Sequence, residues 1–582
     1  MLIASFFHIL IPFFSSDQIL SRDPDTYYSV RQIEVMTNNF YQYNWYDPFT
    51  SYPKGRTVDW GPLFAIFASS LCMLFGAHTF LQIYSISSLA SPILSIFIIP
   101  IVYLLGKEIF DSKAGLIASG LMTVISFQYF IVSSYTGWID HHIMEVFFTT
   151  LFFLTYLYSL RKHFLFSVLS GVILFLALIT STTTIICLVI ILFYIILISF
   201  TENNNTLVST TIPFVVSIFL LFIFGFVREP GFSLIQYSIG VIYVQIAIVI
   251  IAITVFLFSK ITKLYPRLLW GIPLGVAGIC ALIIEICPPV RAIADQSISL
   301  IFGNSQYTSV VTETSNWSII GMWSSFNMSI ILMICGIFIL IYYRNNKTIF
   351  LLIWLSLMLF LTILHQRFQY YLTIPLAITT GICISDSLNW KVQWGKWLII
   401  LLTVGCVAVS AYNDVNYVVN NDDRLSNDWV LTMEWIQENT EDTGINYYGD
   451  YTDFNYPNQS YSVIAMWDYG HWITTLGHRI PVANPFQDGV VETTSFFFSR
   501  NESEANEIIK RVNGKYVIVD DNMLNLMGSM APWIGDTTVN YNDTMAYKLY
   551  YSSVGNYTLV HQEGGIKIFE YGRFRYSPSR KF

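Results

Sequence analysis

The sequence predicts a polytopic α-helical membrane protein that ends in a polar, mixed α/β domain. Three observations predict it. Only 12% of the residues are charged and 54% are apolar, whereas a soluble globular domain carries roughly 25% charge. Apolar runs long enough to span a bilayer recur through residue 413. Beyond Asn413 those runs stop, and Asp, Asn, Tyr and Gly become frequent. The net charge of −8, with no basic patch, argues against a nucleic-acid partner.

The spanning runs fall at about 83–105, 113–134, 142–160, 164–180, 182–200, 208–226, 234–258, 267–286, 319–342, 347–364, 368–386 and 395–413. The opening stretch MLIASFFHILIPFFSSD holds only ~15 apolar residues and reads as a short or truncated first helix. Counting it, about 13 transmembrane helices are expected. The run GPLFAIFASSLCMLFG at 61–76 is shorter and interrupted by Gly and Ser, so it reads as an interfacial or re-entrant helix. None of the seven cysteines lies after residue 406 and none forms a CxxC pair, so neither a disulfide in the C-terminal domain nor a zinc site is indicated.

Charge sets the expected orientation. With the N-terminus cytoplasmic, the inner loops hold Lys107 and Lys113, Arg161 and Lys162, Lys260, Lys263 and Arg267, Arg344 and Lys347, and Lys391 and Lys396. Only TENNN at 201–205 lacks a basic residue, in keeping with the positive-inside rule. An odd number of spans then puts 414–582 outside, together with the loops 17–82, 135–141, 287–318 and 365–367. The expected domains are therefore a membrane domain, 1–413, with its long loops on the outer face, and an extracytoplasmic domain, 414–582. In the latter, NDWVLTMEWIQEN at 427–439 has helical spacing with Asn427 as its N-cap, and YVIVDD at 516–521 reads as a short buried strand.

Three outer loops carry ionisable residues. SRDPDTYYSVRQIE at 21–34 holds Asp23, Asp25, Arg31 and Glu34. SYTGWIDHHIMEVFF at 134–148 holds Asp140, His141 and His142 at the mouth of a helix. QYTSVVTETSNW at 306–317 holds Glu313. Carboxylate oxygens plus a His nitrogen suit a divalent ion such as Mn²⁺ or Mg²⁺. Each loop alone also fits an ordinary solvated loop end, but three on one side point to a shared metal site. Glu34 and Glu145 read as helix-edge charges without a role. Arg367, at the outer end of a span, either snorkels to headgroups or binds a lipid phosphate bidentately.

SVIAMWDYGHWIT at 462–474 buries a carboxylate, Asp468, among aromatic residues. Its MWDYG core, 466–470, resembles the WWDYG signature of the catalytic subunits of oligosaccharyltransferases, and the chain is most similar to the archaeal branch of that family. RDPDTYYSVR resembles the family's first acidic motif, GWIDHHIMEVFF its second, and VVTE at 310–313 its external-loop glutamate motif. DPFTSYPKGRTVDWGPL at 47–63, HQRFQYY at 365–371 and GHRIPVANPFQDG at 477–489 also resemble it. The match runs collinearly from about residue 20 to about 535.

The resemblance implies a GT-C-like membrane fold and protein N-glycosylation. A sugar chain would pass, with inversion, from a dolichyl or polyprenyl (pyro)phosphate to the amide nitrogen of Asn in Asn-x-Ser/Thr. It implies that Asp25 and Glu313 engage the acceptor amide. Asp25, Asp140 and His142 would hold Mn²⁺ or Mg²⁺, and Arg367, joined by His141, would bind the lipid phosphate. Asp468 would accept a hydrogen bond from the hydroxyl two residues after the acceptor Asn, walled by Trp467. The partners implied are a lipid-linked oligosaccharide, acceptor polypeptides and membrane lipid, with the enzyme acting as a single subunit in the plasma membrane.

Two departures stand out. Met466 replaces the family's first Trp, removing an indole N–H from the acceptor pocket. The Glu313 motif begins with Val, where the family usually has Ser or Thr. The second pocket motif reads as Met523-x-x-Leu526-x-x-x-Met530, closest to the family's apolar variant. Alternatives are a protein O-mannosyltransferase, which would need neither MWDYG nor Glu313, an inactive paralogue that only binds acceptor chains, and a transporter. Transporters place charges mid-membrane rather than at the outer ends.

Overall fold

Among the described residues, long apolar helices dominate up to Asn420, and strands longer than two residues appear only after Tyr461. The computed structural model describes residues 20–124, 130, 132–161, 164–198, 205–228, 237–264, a few positions between 285 and 295, 314–420, 424–535 and 541–572. These residues fall into two compact units. One comprises 59–64 and 89–421; the other gathers 18–58, 65–88 and 422–582.

Among the described residues, five helices are long and apolar enough to cross a membrane: Phe80–Ile109, Ile239–Phe258, Asn346–Leu364, Gln366–Ser387 and Gln393–Tyr417. A sixth results if the bent pair Ile319–Phe326 and Ser329–Tyr343 is one span. Four shorter apolar helices accompany them, among them Leu63–Leu74, which covers the stretch read as interfacial or re-entrant. The count of thirteen is thus not reached among the described residues. The first expected span lies outside them, as does most of the one at 267–286. The run expected at 113–134 gives a described helix of ten residues, Ser112–Leu121.

Small residues set helix spacing here, because lipid-facing helices gain little from apolar burial and rely on close van der Waals contact. A Cβ on Gly106 would lie 2.6 Å from the Cα of Gly115, so the helices Ala90–Ile109 and Ser112–Leu121 touch backbone to backbone. Gly336 meets the Thr379 carbonyl in the same way. On the face read as cytoplasmic, buried Glu108 pairs with Arg161 and with Lys347, the latter at 2.8 Å.

In the second unit a four-stranded sheet is built from β3 (Ser462–Ile464), β4 (Gly514–Val519), β5 (Tyr557–Glu563) and β6 (Ile566–Tyr571), in the order β3-β4-β6-β5. β3 runs parallel to β4, and the other pairs are antiparallel. Val517, Ile518 and Val519 of β4 are fully buried, as expected of the apolar YVIVDD run in a central strand. Gly564 and Gly565 close the β5–β6 hairpin, where Gly564 has a φ of +51° that a side chain would strain. The helix at Asn427–Asn439 is present, but its cap is Ser426, not Asn427: the Ser426 side chain accepts from the Trp429 N–H. Both residue types cap well, and the chain turns helical one residue earlier than expected.

The same unit takes in the first acidic loop. Just after that loop, the two-residue strands β1 (Tyr46–Asp47) and β2 (Arg56–Thr57) pair. Arg31 is wholly buried, donating to Asp47 from Nε at 2.7 Å and from Nη2 at 2.9 Å. Its guanidinium also lies over the rings of Phe49 and Tyr447, at 4.6 and 4.2 Å from the centroids. Phe49 and Tyr447 share an apolar cluster with Ile445, Tyr451 and Ile480, so the loop packs on the C-terminal residues through a paired, stacked cation.

Candidate active site

In the second unit, helix Pro24–Asn38 starts where Asp23 caps it, accepting from the Thr26 N–H at 2.9 Å, with Pro24 in the first turn. Asp25 therefore sits in the first helical turn, with its side chain more than half exposed. Beside it lies His471, which has no exposed surface. Its Nδ1 is 3.1 Å from the Pro24 carbonyl oxygen and 3.6 Å from an Asp25 carboxylate oxygen. Burial pushes the His471 imidazole down to about 3, and the nearby charge of Arg56 acts in the same direction. The ring is therefore neutral at physiological pH, with Nδ1–H donating to Pro24.

His471 lies on the helix Gly470–Thr475, which directly follows Trp467–Tyr469 of the MWDYG motif. Two further side chains of that helix reach the stretch 17–58: Thr474 donates to the Phe49 carbonyl at 2.7 Å, and Thr475 to the Tyr27 carbonyl, in the acidic loop itself, at 3.0 Å. Gly470 is required by close approach, since a Cβ there would lie 2.4 Å from the Ala483 carbonyl oxygen.

Met466 and Trp467 are buried and Asp468 is half-buried. Burial pushes the Asp468 carboxyl up to about 6, opposed by the charge of Arg22 and a hydrogen bond from the Trp467 side chain. Met523 and Met530 are fully buried and Leu526 is partly exposed. Met523 belongs to the short helix Asp521–Asn525, capped by Asp520.

In the first unit, Asp140, His141 and His142 each offer a ligand atom within 4.8 Å of the others. This is the one such group of three among the described residues. His141 Nδ1 is 2.6 Å from Asp140 Oδ1, and His142 Nε2 is 3.4 Å from Asp140 Oδ2. Burial alone would raise the Asp140 carboxyl, but His142 and His141 together hold it down at about 2. Burial likewise opposes the charged form of His141, and Asp140 and Glu145 outweigh it, raising the imidazole to about 10. One carboxylate and two imidazoles make a donor set that fits a divalent cation. Trp60 stacks on His141 and Tyr370 on His142.

Glu145, by sequence a helix-edge charge, is buried against this group. Its carboxylate oxygens lie 3.2 Å from His141 Nε2 and 3.5 Å from His142 Nδ1, and it accepts a hydrogen bond from the Tyr371 hydroxyl. The signal was in the spacing: residues three and four beyond the two histidines share their helix face. Glu34, also read as a helix-edge charge, is buried and accepts from Tyr448 at 2.8 Å.

Glu313 lies outside the described residues. The segment just after it is fixed to the start of the HQRFQYY stretch: His365 Nδ1 is 2.8 Å from the Thr314 carbonyl oxygen, and the Gln366 side chain donates to Ser315 at 3.0 Å. Arg367 follows in the short 3₁₀ turn Gln366–Phe368.

Two family models match the chain: "Oligosaccharyl transferase STT3, N-terminal" over residues 2–412, and "AglB core domain" over residues 426–524. Over 94% of its length the chain is 26% identical to Dolichyl-phosphooligosaccharide-protein glycotransferase 3 of Archaeoglobus fulgidus, covering 71% of that protein. Among solved structures, it is similar to the oligosaccharyltransferase AglB from Archaeoglobus fulgidus in complex with an inhibitory peptide and a dolichol-phosphate. The TM-score is 0.87 at 23% identity, covering 97% of this chain and 78% of that one. A structure of the Archaeoglobus fulgidus oligosaccharyltransferase in complex with Zn and sulfate gives 0.83 at 24% identity, with the same coverages. The fold is thus that of a membrane oligosaccharyltransferase with a C-terminal globular domain, and with a family model matched over more than two thirds of its length the chain belongs to the oligosaccharyl transferase STT3 family.

Proposed function

We infer that the protein transfers an oligosaccharide from a dolichyl or polyprenyl (pyro)phosphate to the side-chain amide of Asn in Asn-x-Ser/Thr, inverting the anomeric carbon. It acts as a multi-pass membrane enzyme of about thirteen spans, in the plasma membrane, with its site and C-terminal domain extracytoplasmic. One observation carries the reading furthest: the loop bearing Asp25 and the MWDYG segment bearing Asp468 are joined through His471 within one compact unit. An acceptor carboxylate and a hydroxyl-reading carboxylate on one support suit a peptide that must be gripped at two positions, its Asn and the residue two beyond.

The chemical difficulty is the nucleophile, because an amide nitrogen is conjugated to its carbonyl. Asp25 and Glu313 are assigned to accept hydrogen bonds from the acceptor NH₂, drawing it out of conjugation or raising its electron density. Asp468 is ionised above about pH 6, so at neutral pH it is purely an acceptor for the Ser/Thr hydroxyl. Such a bond contributes roughly 1.5–3 kcal/mol, enough to select a hydroxyl over an apolar side chain. Trp467 excludes water from that carboxylate, and Met466, Met523 and Leu526 supply the apolar wall.

Asp140 and His142, with Asp25, are assigned as ligands of Mn²⁺ or Mg²⁺; when bound, the ion would neutralise the departing phosphate. Arg367, joined by His141, is assigned to hold the same phosphate. A protein O-mannosyltransferase is not favoured, since it has no use for a sequon pocket, and family membership disfavours a transporter.

Membranes holding the protein, a labelled Asn-x-Thr peptide and host lipid-linked glycan test the reading. Transfer to the peptide, abolished by EDTA and by Glu313→Gln and strongly reduced by Asp468→Ala, is expected. Transfer insensitive to both substitutions would sink it.

A further inference from the structure

Asp520 directly follows the central strand β4, caps the helix Asp521–Asn525 and is 1% exposed. The Tyr469 hydroxyl donates to both its carboxylate oxygens, at 2.8 and 3.0 Å. The Met523 backbone N–H donates to Oδ1 at 2.9 Å. Asn522 closes the ring by donating to the Tyr469 hydroxyl at 3.4 Å. The Tyr469 ring is itself fixed, with Trp429 at 4.3 Å and Trp472 stacked at 5.3 Å.

Tyr469 belongs to MWDYG, and Met523 opens the Met-x-x-Leu-x-x-x-Met segment. Asp520 belongs to neither motif, yet one buried carboxylate is the hydrogen-bond partner of both. The two segments lie ~50 positions apart in the chain, and each is short: a 3₁₀ turn at Trp467–Tyr469 and a helix at Asp521–Asn525. Neither can set its own orientation, since a helix of five residues is marginal without an external partner. A two-oxygen acceptor at a strand end, held by the sheet, gives both a common reference.

We propose that Asp520 is a positioning residue for acceptor specificity, holding Tyr469 and Met523 so that Asp468 and the apolar wall form one pocket for the sequon's third residue. This rests on the function proposed above. Asp520 is assigned no contact with the peptide and no part in the chemistry, so its loss should weaken acceptor binding and spare turnover.

The test is steady-state transfer to an Asn-x-Thr peptide by full-length protein in membranes, with peptide binding followed in parallel by fluorescence anisotropy. Asp520→Ala should raise KM and the peptide's Kd about tenfold while kcat stays within about twofold. Asp520→Asn keeps an acceptor oxygen for both donors and should stay within about threefold of wild type. Tyr469→Phe should raise KM part of the way, and adding it to Asp520→Ala should cost nothing more, because both remove one interaction. A merely structural role would lower folded yield or kcat without that split, rescue or non-additivity. An unchanged KM and Kd in Asp520→Ala would overturn the proposal; if that variant does not fold, an unchanged KM in Tyr469→Phe does so. Absence of transfer by the wild type would defeat the functional reading instead, and the Kd series would still decide for or against Asp520.

Discussion

The Nδ1 of His471 lies 3.1 Å from the carbonyl oxygen of Pro24, the residue immediately before Asp25. A buried neutral imidazole thus fixes the backbone that carries a proposed catalytic carboxylate. His471→Ala would remove the side-chain donor to that carbonyl, leaving only its intrahelical bond, and loosen the first helical turn. We expect kcat to fall by one to two orders of magnitude, from a loss of roughly 1–3 kcal/mol, with peptide KM changed little. His471→Asn, whose amide nitrogen sits close to the Nδ1 position, should recover most of the rate. Equal kinetics for the Ala and Asn variants would refute this role.

Asp468 gives a pH prediction. Its carboxyl is raised to about 6 by burial, so protonation below that pH removes an acceptor for the Ser/Thr hydroxyl. Peptide KM should rise as pH falls from 7 to 5. The stability sign is opposite. A carboxyl raised in the folded state contributes most below its unfolded value near 4, and that contribution is lost as pH rises through about 6. Asp468→Asn should therefore raise Tm at pH 7 more than at pH 4 while weakening acceptor binding. Asp520, also raised to about 6 by burial, titrates in the same range. The Asn variant is thus the control that isolates Asp468.

Glu145 touches both histidines of the candidate metal group and the Tyr371 hydroxyl. Partners of this kind orient metal-binding imidazoles, and their loss typically weakens affinity 10–100-fold. Calorimetric titration of Mn²⁺ into metal-stripped protein should show that loss in Glu145→Ala, with a smaller one in Glu145→Gln. Wild-type affinity in both would place Glu145 in packing alone.

Arg31 is buried, bidentate to Asp47 and stacked between Phe49 and Tyr447. Arg31→Ala strands the Asp47 carboxylate and should destabilise the fold by about 3–5 kcal/mol. Arg31→Lys keeps the charge but loses the planar fork and the stacking, and should fall between. Thermal unfolding of the detergent-solubilised protein reads both.

Orientation can be read from glycans. Asn458, Asn501, Asn542 and Asn556 begin sequons and are exposed. On the extracytoplasmic reading, mass spectrometry of protein from its glycosylating host should find sugar on at least one of them. Asn346-Lys-Thr348, in a loop assigned to the cytoplasm, should be bare. The reverse pattern would overturn the orientation.

The local features of the site were legible in the sequence because they are contiguous. MWDYG, the Asp-His-His triplet and the YVIVDD strand each announce themselves within a few residues. What stayed hidden depends on contacts across hundreds of positions. Nothing in RDPDTYY says that its carbonyls are met by His471 and Thr475, and nothing in VIVDD says that Asp520 serves Tyr469. Glu145 was legible in principle through its spacing from His141 and His142, but a carboxylate at a helix start reads first as a surface charge. Apolar runs revealed helices more reliably than their lengths. The run at 113–134 carries glycines at 115 and 120 and gives a described helix that ends at Leu121.

Where Gly106 meets Gly115, two chains of peptide groups lie against each other with hydrogen atoms for a gasket. A joint of that kind has no adjustable filler. Leucine can drift to isoleucine or methionine in an ordinary core, but here the smallest possible change, a single methyl, has to part the two helices. This corner of the protein should therefore resist evolutionary wandering even though it holds no chemistry at all.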